Sequence, residues 1–190
     1  FASTIFIPYI KKLNLKNLVS ASPAIGGSKR ANVSAKHLNC EMVICYKQRK
    51  KANVVDRIKI IGDIKNKDVV IIDDMIDTAG TLVNAASAAI NKGAKSVTAI
   101  ATHGVLSDPA IERIEKSSLS SLVVTDSISI ISKIKNSTKI RLGPTAPLFA
   151  QALLNIANGN SVSSLFDSER LRPIYKPYYP KYHIEKKRKA

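Results

Sequence analysis

Apolar residues fall into short runs along this chain, and segments of helical spacing separate the runs. The clearest run is 69–72, where four β-branched residues follow one another without a polar interruption. A continuous apolar run of this length is typical of a central strand that is covered on both faces. Comparable but in part weaker patterns predict strands at 17–22, 41–46, 57–63, 68–73, 96–102, 121–126 and 139–143.

Helical spacing appears between these runs. The segment that begins at Thr81 is rich in alanine and keeps its apolar face as far as Ile90, and Gly93 is well placed to end the helix. A second helix is predicted with Asp108 as its N-cap and Pro109 at its first position. Two further helices are predicted at 28–39 and 146–159. Alternating strands and helices with short loops predict an α/β fold, namely a doubly wound, mostly parallel sheet.

Composition narrows the class of protein. The chain has 190 residues and is 45% hydrophobic, which suits one domain with a real core, and 5% aromatic content makes that core aliphatic. No apolar run approaches the roughly 20 residues that span a bilayer, so no membrane is expected. Cys40 and Cys45 are interpreted as small buried residues rather than a disulfide, which suits a cytoplasmic location. Because the first residue is Phe1, we expect a fragment.

The formal charge of +16 suggests an anionic partner. Residues 167–190 hold eight Lys or Arg against three Asp or Glu, together with four of the six tyrosines. This stretch lacks helical or strand periodicity, so we predict a folded domain at 1–166 and a basic, flexible tail at 167–190. A solvated tail is expected, and a tail that binds nucleic acid remains the alternative.

The stretch VVIIDDMIDTAGTL, at 69–82, carries the chemistry. Ligands of parallel sheets bind beyond the carboxyl ends of the strands, where Asp73 and Asp74 are expected. The turn at 77–81 leads into a helix N-terminus, which attracts phosphate through free N–H groups and the helix dipole. Carboxylates beside a phosphate make sense if they accept hydrogen bonds from sugar hydroxyls or act through Mg²⁺. The pattern therefore indicates a site for a phosphorylated sugar.

Two other interpretations of this stretch stay open. In the first, Asp77 merely caps the helix, and Asp73 and Asp74 are solvated loop residues. In the second, the acidic pair belongs to a receiver domain, although such a domain does not require the small Thr-x-Gly-Thr turn that follows.

The same stretch resembles the phosphoribosyl-diphosphate binding motif of the type I phosphoribosyltransferase fold. Other stretches of the chain match the same family in the same order along the sequence. They are SPAIGGSKRA, CYKQRKKANVVDR, ATHGVLS, VVTDSI and GNSVSSLF. Together they resemble the C-terminal half of the ribose-phosphate diphosphokinase family, also called phosphoribosyl pyrophosphate synthetases, from about Phe1 to Phe166. The resemblance implies synthesis of phosphoribosyl diphosphate from ribose 5-phosphate and ATP, with Mg²⁺, by a homo-oligomer of two-domain subunits.

The resemblance also implies roles for individual residues around the acidic motif. Asp73 and Asp74 would hold the ribose hydroxyls. Lys47 and Arg49 match the two basic residues of the family's catalytic flexible loop, although a solvated charge run is the plainer interpretation. The 5-phosphate would be surrounded by Asp77, Thr78, Ala79, Gly80 and Thr81.

The resemblance also carries expectations for six other residues. Gly26 and Gly27 match the diphosphate-binding loop, in which backbone N–H groups face an oxyanion. Ala24 stands where the family usually has a Mg²⁺-binding Asp, so this chain is expected to supply no metal ligand there. A match to the regulatory phosphate or ADP region, with a capping turn and an apolar anchor as the alternative, covers Ser161, Ser163 and Phe166.

The expected function is that of a ribose-phosphate diphosphokinase whose N-terminal half lies outside this sequence. His103 is expected at a strand end but is assigned no chemistry. Two alternatives remain. One is a non-catalytic subunit associated with a synthetase, which Ala24 favours. The other is a stand-alone phosphoribosyltransferase, which needs a base-binding hood that no segment indicates.

Overall fold

Seven strands form one sheet in the computed structural model of the chain, which describes residues 2–48, 57–167 and 173–176. The order across the sheet is β3-β2-β1-β4-β5-β6-β7, and every neighbouring pair is parallel except β2 and β3. The strands are β1 (Leu18–Ser22), β2 (Glu41–Gln48), β3 (Arg57–Ile61), β4 (Asp68–Ile76), β5 (Ser96–Gly104), β6 (Ser121–Thr125) and β7 (Ile140–Gly143).

Helices cover both faces of this sheet. They are α1 (Ser3–Lys12), α2 (Ser28–Leu38), α3 (Gly80–Asn91), α4 (Ala110–Lys116) and α5 (Ala146–Ala157), with 3₁₀ turns at Ile25–Gly27 and Val162–Phe166. Side chains of β4 alternate between two apolar clusters, as strand geometry requires. Val69 and Ile71 pack with residues of α3 and α4, whereas Val70 and Ile72 pack with α1. The predicted doubly wound, mostly parallel α/β fold is confirmed.

Helix α1 has no counterpart among the predicted elements. All of its residues from Thr4 to Ile10 are buried, and its two lysines, Lys11 and Lys12, lie in its last turn. Pro8 also lies inside the helix, where proline ordinarily argues against one. The internal proline is therefore the feature that hides this helix from sequence analysis.

Three strands run past their predicted ends, and one of them is β5, which continues from the predicted residue 102 to Gly104. Strand β4 continues to Ile76, and Asp73 pairs with Ala101 on β5, so the acidic residues lie in the last part of a strand rather than beyond it. Strand β2 continues to Gln48, and Lys47 pairs with Ile58 instead of following the strand. In β4 and β2 the hydrogen bonds to a neighbouring strand outweigh the low strand propensity of the charged residues.

The start of α4 also differs from the prediction. The helix begins at Ala110 and Pro109 is its N-cap, so Asp108 does not cap it. The peptide bond between Asp108 and Pro109 is cis.

The structure also bears on the predictions for the cysteines, for membrane-spanning helices and for the tail. Both cysteines are free thiols; Cys45 is buried as predicted, whereas Cys40 is only half-buried, and burial raises the pKa of Cys45 to about 11. Among the described residues, no helix has the length and apolar character needed to cross a membrane. Within the predicted tail, Tyr175 is fully buried in the cluster that contains α1. The domain boundary at 166 and the flexibility of the tail stay predictions.

Candidate functional site

The strand order changes direction between β1 and β4, two parallel neighbours at the centre of the sheet. The chain leaves β1 through the loop 23–27 into α2, and it leaves β4 through the turn 77–79 into α3. Because these connections diverge, a crevice opens above the carboxyl ends of the two strands, where ligands of such folds bind. The predicted phosphate turn and glycine loop belong to these two connections, and the acidic pair lies in the last part of β4 beside them.

The acidic pair is closely coupled. Asp73 Oδ1 accepts a hydrogen bond from the backbone N–H of Asp74, with 2.9 Å between N and O. Burial, followed by the hydrogen bond and charge of the Asp74 carboxyl, raises the pKa of Asp73 to about 6. Although burial alone would raise it, the pKa of Asp74 lies below its usual range because Asp73 and the Arg30 guanidinium favour its charged form. Above about pH 6 the pair therefore offers two carboxylates as acceptors.

Arg30 joins this site from α2, and the sequence prediction did not assign it a role. Its Nη2 donates to Asp74 Oδ2 at 2.8 Å, and its Nη1 lies 3.7 Å from Asp73 Oδ1. The sequence did contain a signal that Arg30 lies near an anion. Arg30 lies in the first turn of a predicted helix, where the dipole disfavours a cation unless an anion lies nearby.

The phosphate turn has the geometry of an exposed helix start. Ala79 adopts the left-handed region at φ 61°, and α3 begins at Gly80. In the described part of the chain, no side chain caps this helix from its N-cap position, so the interpretation of Asp77 as a helix cap is wrong. Thr78, Thr81 and Asp77 are exposed around the turn. The first N–H groups of α3 are consequently placed to receive an oxyanion.

Arg113 supports this turn from α4. Its Nη1 donates to the backbone carbonyl of Thr78 at 2.9 Å, and it lies 3.8 Å from where a Cβ on Gly80 would be. The sequence prediction missed Arg113 because nothing local distinguishes it from an ordinary charged residue on a short helix.

The glycine loop is shaped by its second glycine. The N–H of Gly27 donates to the carbonyl of Ala24, whereas Gly26 is exposed and has open space where a Cβ would lie. A Cβ on Gly27 would lie 2.7 Å from Ser22 Oγ and 3.7 Å from Arg30 Nη1. The loop therefore packs against the base of the crevice and approaches the arginine that holds the acidic pair.

The residues present do not fit a resident Mg²⁺ site. No group of three or more His, Cys, Asp or Glu side chains within residues 2–48, 57–167 and 173–176 is arranged to hold a metal ion. Ala24 is exposed on the loop, and its methyl group cannot coordinate a metal. The two adjacent carboxylates already face the Arg30 guanidinium.

The remaining predicted residues lie elsewhere or outside the described residues. Lys47 is on β2, and Arg49 lies outside the described residues. Ser161 caps the 3₁₀ turn by accepting the N–H of Ser163, and the buried anchor of that turn is Leu165, whereas Phe166 is 53% exposed. This arrangement matches the capping alternative in part. At the end of β5, His103 Nδ1 lies within hydrogen-bond distance of a serine hydroxyl.

Known proteins resemble this chain over most of its length. The model of the phosphoribosyl synthetase-associated domain matches residues 20–167. The ribose-phosphate pyrophosphokinase of Porphyromonas gingivalis is 46% identical over 167 residues, which are 87% of this chain and 52% of that protein. The enzyme of the same name from Caldanaerobacter subterraneus is 48% identical over 150 residues, which are 79% of this chain and 47% of that protein. The chain thus spans about half the length of these curated relatives.

Solved structures agree with this result. A phosphoribosylpyrophosphate synthetase from Mycobacterium smegmatis superposes with a TM-score of 0.74 at 30% identity, covering 84% of this chain and 51% of that one. An adenine phosphoribosyltransferase from Giardia lamblia reaches a TM-score of 0.50 at 16% identity, covering 65% of this chain and 75% of that one. The second match shows only a shared fold, which is the phosphoribosyltransferase type predicted from the sequence.

Proposed function

Because the chain belongs to the phosphoribosyl synthetase-associated domain family, which matches residues 20–167, we propose that it provides the sugar-phosphate site of a ribose-phosphate diphosphokinase. This enzyme transfers diphosphate from ATP to ribose 5-phosphate and yields phosphoribosyl diphosphate and AMP. The names of the relatives support the proposal.

One observation carries the proposal, namely that the acidic pair and the phosphate turn flank the same end of β4. Asp73 and Asp74 accept hydrogen bonds from the ribose hydroxyls. The 5-phosphate binds the N-terminal end of α3, where the turn from Asp77 to Thr81 surrounds it with N–H groups and hydroxyls. Arg113 keeps the turn in place through the carbonyl of Thr78. A sugar phosphate is thereby held at both ends.

The proposed reaction is an in-line displacement. The ribose 1-hydroxyl releases its proton to solvent and its oxygen forms a bond to the β-phosphorus of ATP, while the bond from that phosphorus to the α–β bridging oxygen breaks and AMP leaves. Charge on the transferred group is stabilised by cations, the role proposed for Lys47 and Arg49, and by the N–H of Gly26, whereas the N–H of Gly27 donates to Ala24 and shapes the loop. Mg²⁺ is proposed to arrive as part of the nucleotide substrate. A homo-oligomer in the cytoplasm is proposed as the setting.

A second candidate function is that of a non-catalytic subunit associated with an active synthetase. The observation that favours it is the exposed Ala24, which leaves the loop without a carboxylate. Such a subunit would keep the sugar-phosphate site and bind ribose 5-phosphate without turning it over.

Binding and turnover separate these functions. Calorimetry of the 190-residue chain should detect ribose 5-phosphate, with much weaker binding of ribose or of inorganic phosphate alone, because each probe reaches only one half of the site. Release of AMP from ATP and ribose 5-phosphate by this chain would establish the diphosphokinase. Binding without AMP release would favour the subunit, and equal affinity for ribose 5-phosphate and inorganic phosphate would contradict the two-ended site.

A further inference from the structure

Arg30 lies between the two halves of the crevice, which are the glycine loop after β1 and the acidic pair with the phosphate turn at the end of β4. It projects from α2, which follows the glycine loop, and it contacts the acids of β4 across the boundary between β1 and β4. The same guanidinium lies 3.7 Å from the place where a Cβ on Gly27 would be. Because Gly27 has no side chain, the path from the loop to this cation stays open.

The contact between Arg30 and the acidic pair is of a kind that can be exchanged. The side chain of Arg30 is 39% exposed and that of Asp74 is 62% exposed. Exposed ion pairs contribute little to stability, so an anion with higher charge density can replace a carboxylate. The planar guanidinium also matches the oxygens of a phosphate group and can donate to two of them at once.

We propose that Arg30 is a binding residue for the diphosphate group, and that it leaves Asp74 for this group when the crevice is filled. This inference rests on the proposed function. In the structure Arg30 neutralises the acidic pair. When diphosphate enters beside the loop at Gly26 and Gly27, the guanidinium turns to it. Asp74 is then released to accept a hydrogen bond from a ribose hydroxyl, so Arg30 couples occupancy of the two halves.

The test uses inorganic diphosphate as the probe, titrated by calorimetry into the full 190-residue chain without metal. Arg30→Gln should weaken diphosphate binding by about tenfold or more, because charge-assisted hydrogen bonds to the anion are lost. Arg30→Lys should lose only part of this affinity, since an ammonium keeps the charge without the paired donors. Lys29→Gln is the matched control, because it removes one positive charge, as Arg30→Gln does, from the exposed neighbouring residue on the same helix.

A double-mutant cycle isolates the exchange itself. Asp74→Asn should strengthen diphosphate binding by about two- to fivefold, because it removes both the competing partner of Arg30 and a nearby negative charge. In the Arg30→Gln background most of this gain should disappear. If Asp74→Asn strengthens binding equally in both backgrounds, general repulsion explains the effect and the exchange is wrong.

The outcomes distinguish this inference from the proposed function. Circular dichroism and thermal melts establish that each variant is folded, and Arg30→Lys serves if Arg30→Gln is not. Equal diphosphate affinities for Arg30→Gln and Lys29→Gln, or absence of diphosphate binding by the unmodified chain, would overturn the role of Arg30 even if ribose 5-phosphate binds normally. Failure of ribose 5-phosphate to bind would instead overturn the proposed function, whatever diphosphate does.

Discussion

The two ends of β4 carry acidic residues in very different surroundings. At the amino end, Asp68 is buried, accepts a hydrogen bond from Ser96 Oγ at 2.6 Å and lies 3.8 Å from Lys95 Nζ. At the carboxyl end, Asp73 and Asp74 are adjacent, and both face the guanidinium of Arg30. One strand thus holds a satisfied carboxylate at one end and a crowded pair at the other.

The difference separates an acid that is matched within the fold from the two acids that we propose bind a ligand. Each partner of Asp68 belongs to the neighbouring β5 or the residue before it, so the charge is matched locally within the sheet. At the other end, partial burial, followed by the hydrogen bond and charge of the adjacent Asp74 carboxyl, raises the pKa of Asp73 to about 6. A carboxyl group with a pKa perturbed in this way is typical of functional sites.

The largest expected effect comes from substituting one acidic residue at each end of β4. Asp74→Asn should weaken ribose 5-phosphate binding by about 2 kcal/mol, or roughly 30-fold, because a charged acceptor for a hydroxyl is lost. Its thermal stability should hardly change, since this side chain is mostly exposed. Calorimetry and thermal melts measure the two quantities.

Asp68→Asn is the control for that prediction, because it removes a charge from the same strand. It should lower the free energy of unfolding by about 1–3 kcal/mol and leave ribose 5-phosphate affinity unchanged, since Asp68 is a buried hydrogen-bond acceptor. If Asp74→Asn destabilised the fold and left binding intact, the two ends would not differ as inferred.

Substitutions in the glycine loop change the packing beside the carboxyl end of β4 without changing a charge. Gly27→Ala should destabilise the chain by about 1–3 kcal/mol, because its Cβ would lie 2.7 Å from the Oγ of the buried Ser22. Gly26→Ala should leave stability within about 0.5 kcal/mol of the unmodified chain, since nothing lies within 4 Å of that Cβ. Chemical denaturation measures both, and equal losses would show that the loop is not packed as described.

The titration of Asp73 provides a pH test. Its pKa of about 6 in the folded chain exceeds the usual 3.8, so the folded state holds the proton more tightly and stability falls as the pH rises from about 4 to about 6. Asp73→Asn carries no titrating group at this position. We expect its melting temperature to exceed that of the unmodified chain by about 2–4 °C at pH 8, with the difference vanishing near pH 4.

Binding should show the opposite preference, because ribose hydroxyls need the ionised carboxylate. Affinity of the unmodified chain for ribose 5-phosphate should rise as the pH increases through about 6. The phosphate of the ligand also ionises near pH 6, so Asp73→Asn serves as the control that reports the ligand alone. Identical pH profiles for the two chains would exclude a role for Asp73.

The smallest effect is expected at Arg113, which supports the phosphate turn from outside. Arg113→Gln should weaken ribose 5-phosphate binding by about 0.5–1 kcal/mol, because one hydrogen bond to the Thr78 carbonyl is lost from an exposed position. Lys116→Gln is the matched control on the same helix, since Lys116 pairs only with Glu112 among the contacts described for it. Equal affinities for the two variants would leave Arg113 without a positioning role.

Much of the site was predictable from local patterns. The acidic pair, the small turn and the helix after them occupy one stretch of sequence, and the structure keeps them at one end of β4. The exact end of the strand was not predictable, because backbone pairing of Asp73 with Ala101 decides it. Helix α1 escaped prediction because its apolar run contains Pro8, which ordinarily argues against a helix.

The sequence by itself determined the fold class and the motif, because the burial of β-branched runs and the exposure of an acidic turn depend on local residue chemistry. The tertiary structure decided which arginine side chains contact the acidic pair and the phosphate turn. Arg30 is 44 residues from Asp74, and Arg113 is 35 residues from Thr78. Only the order of strands in the sheet brings α2 beside β4 and α4 beside the phosphate turn, and a short-range charged contact exists only after that order is set.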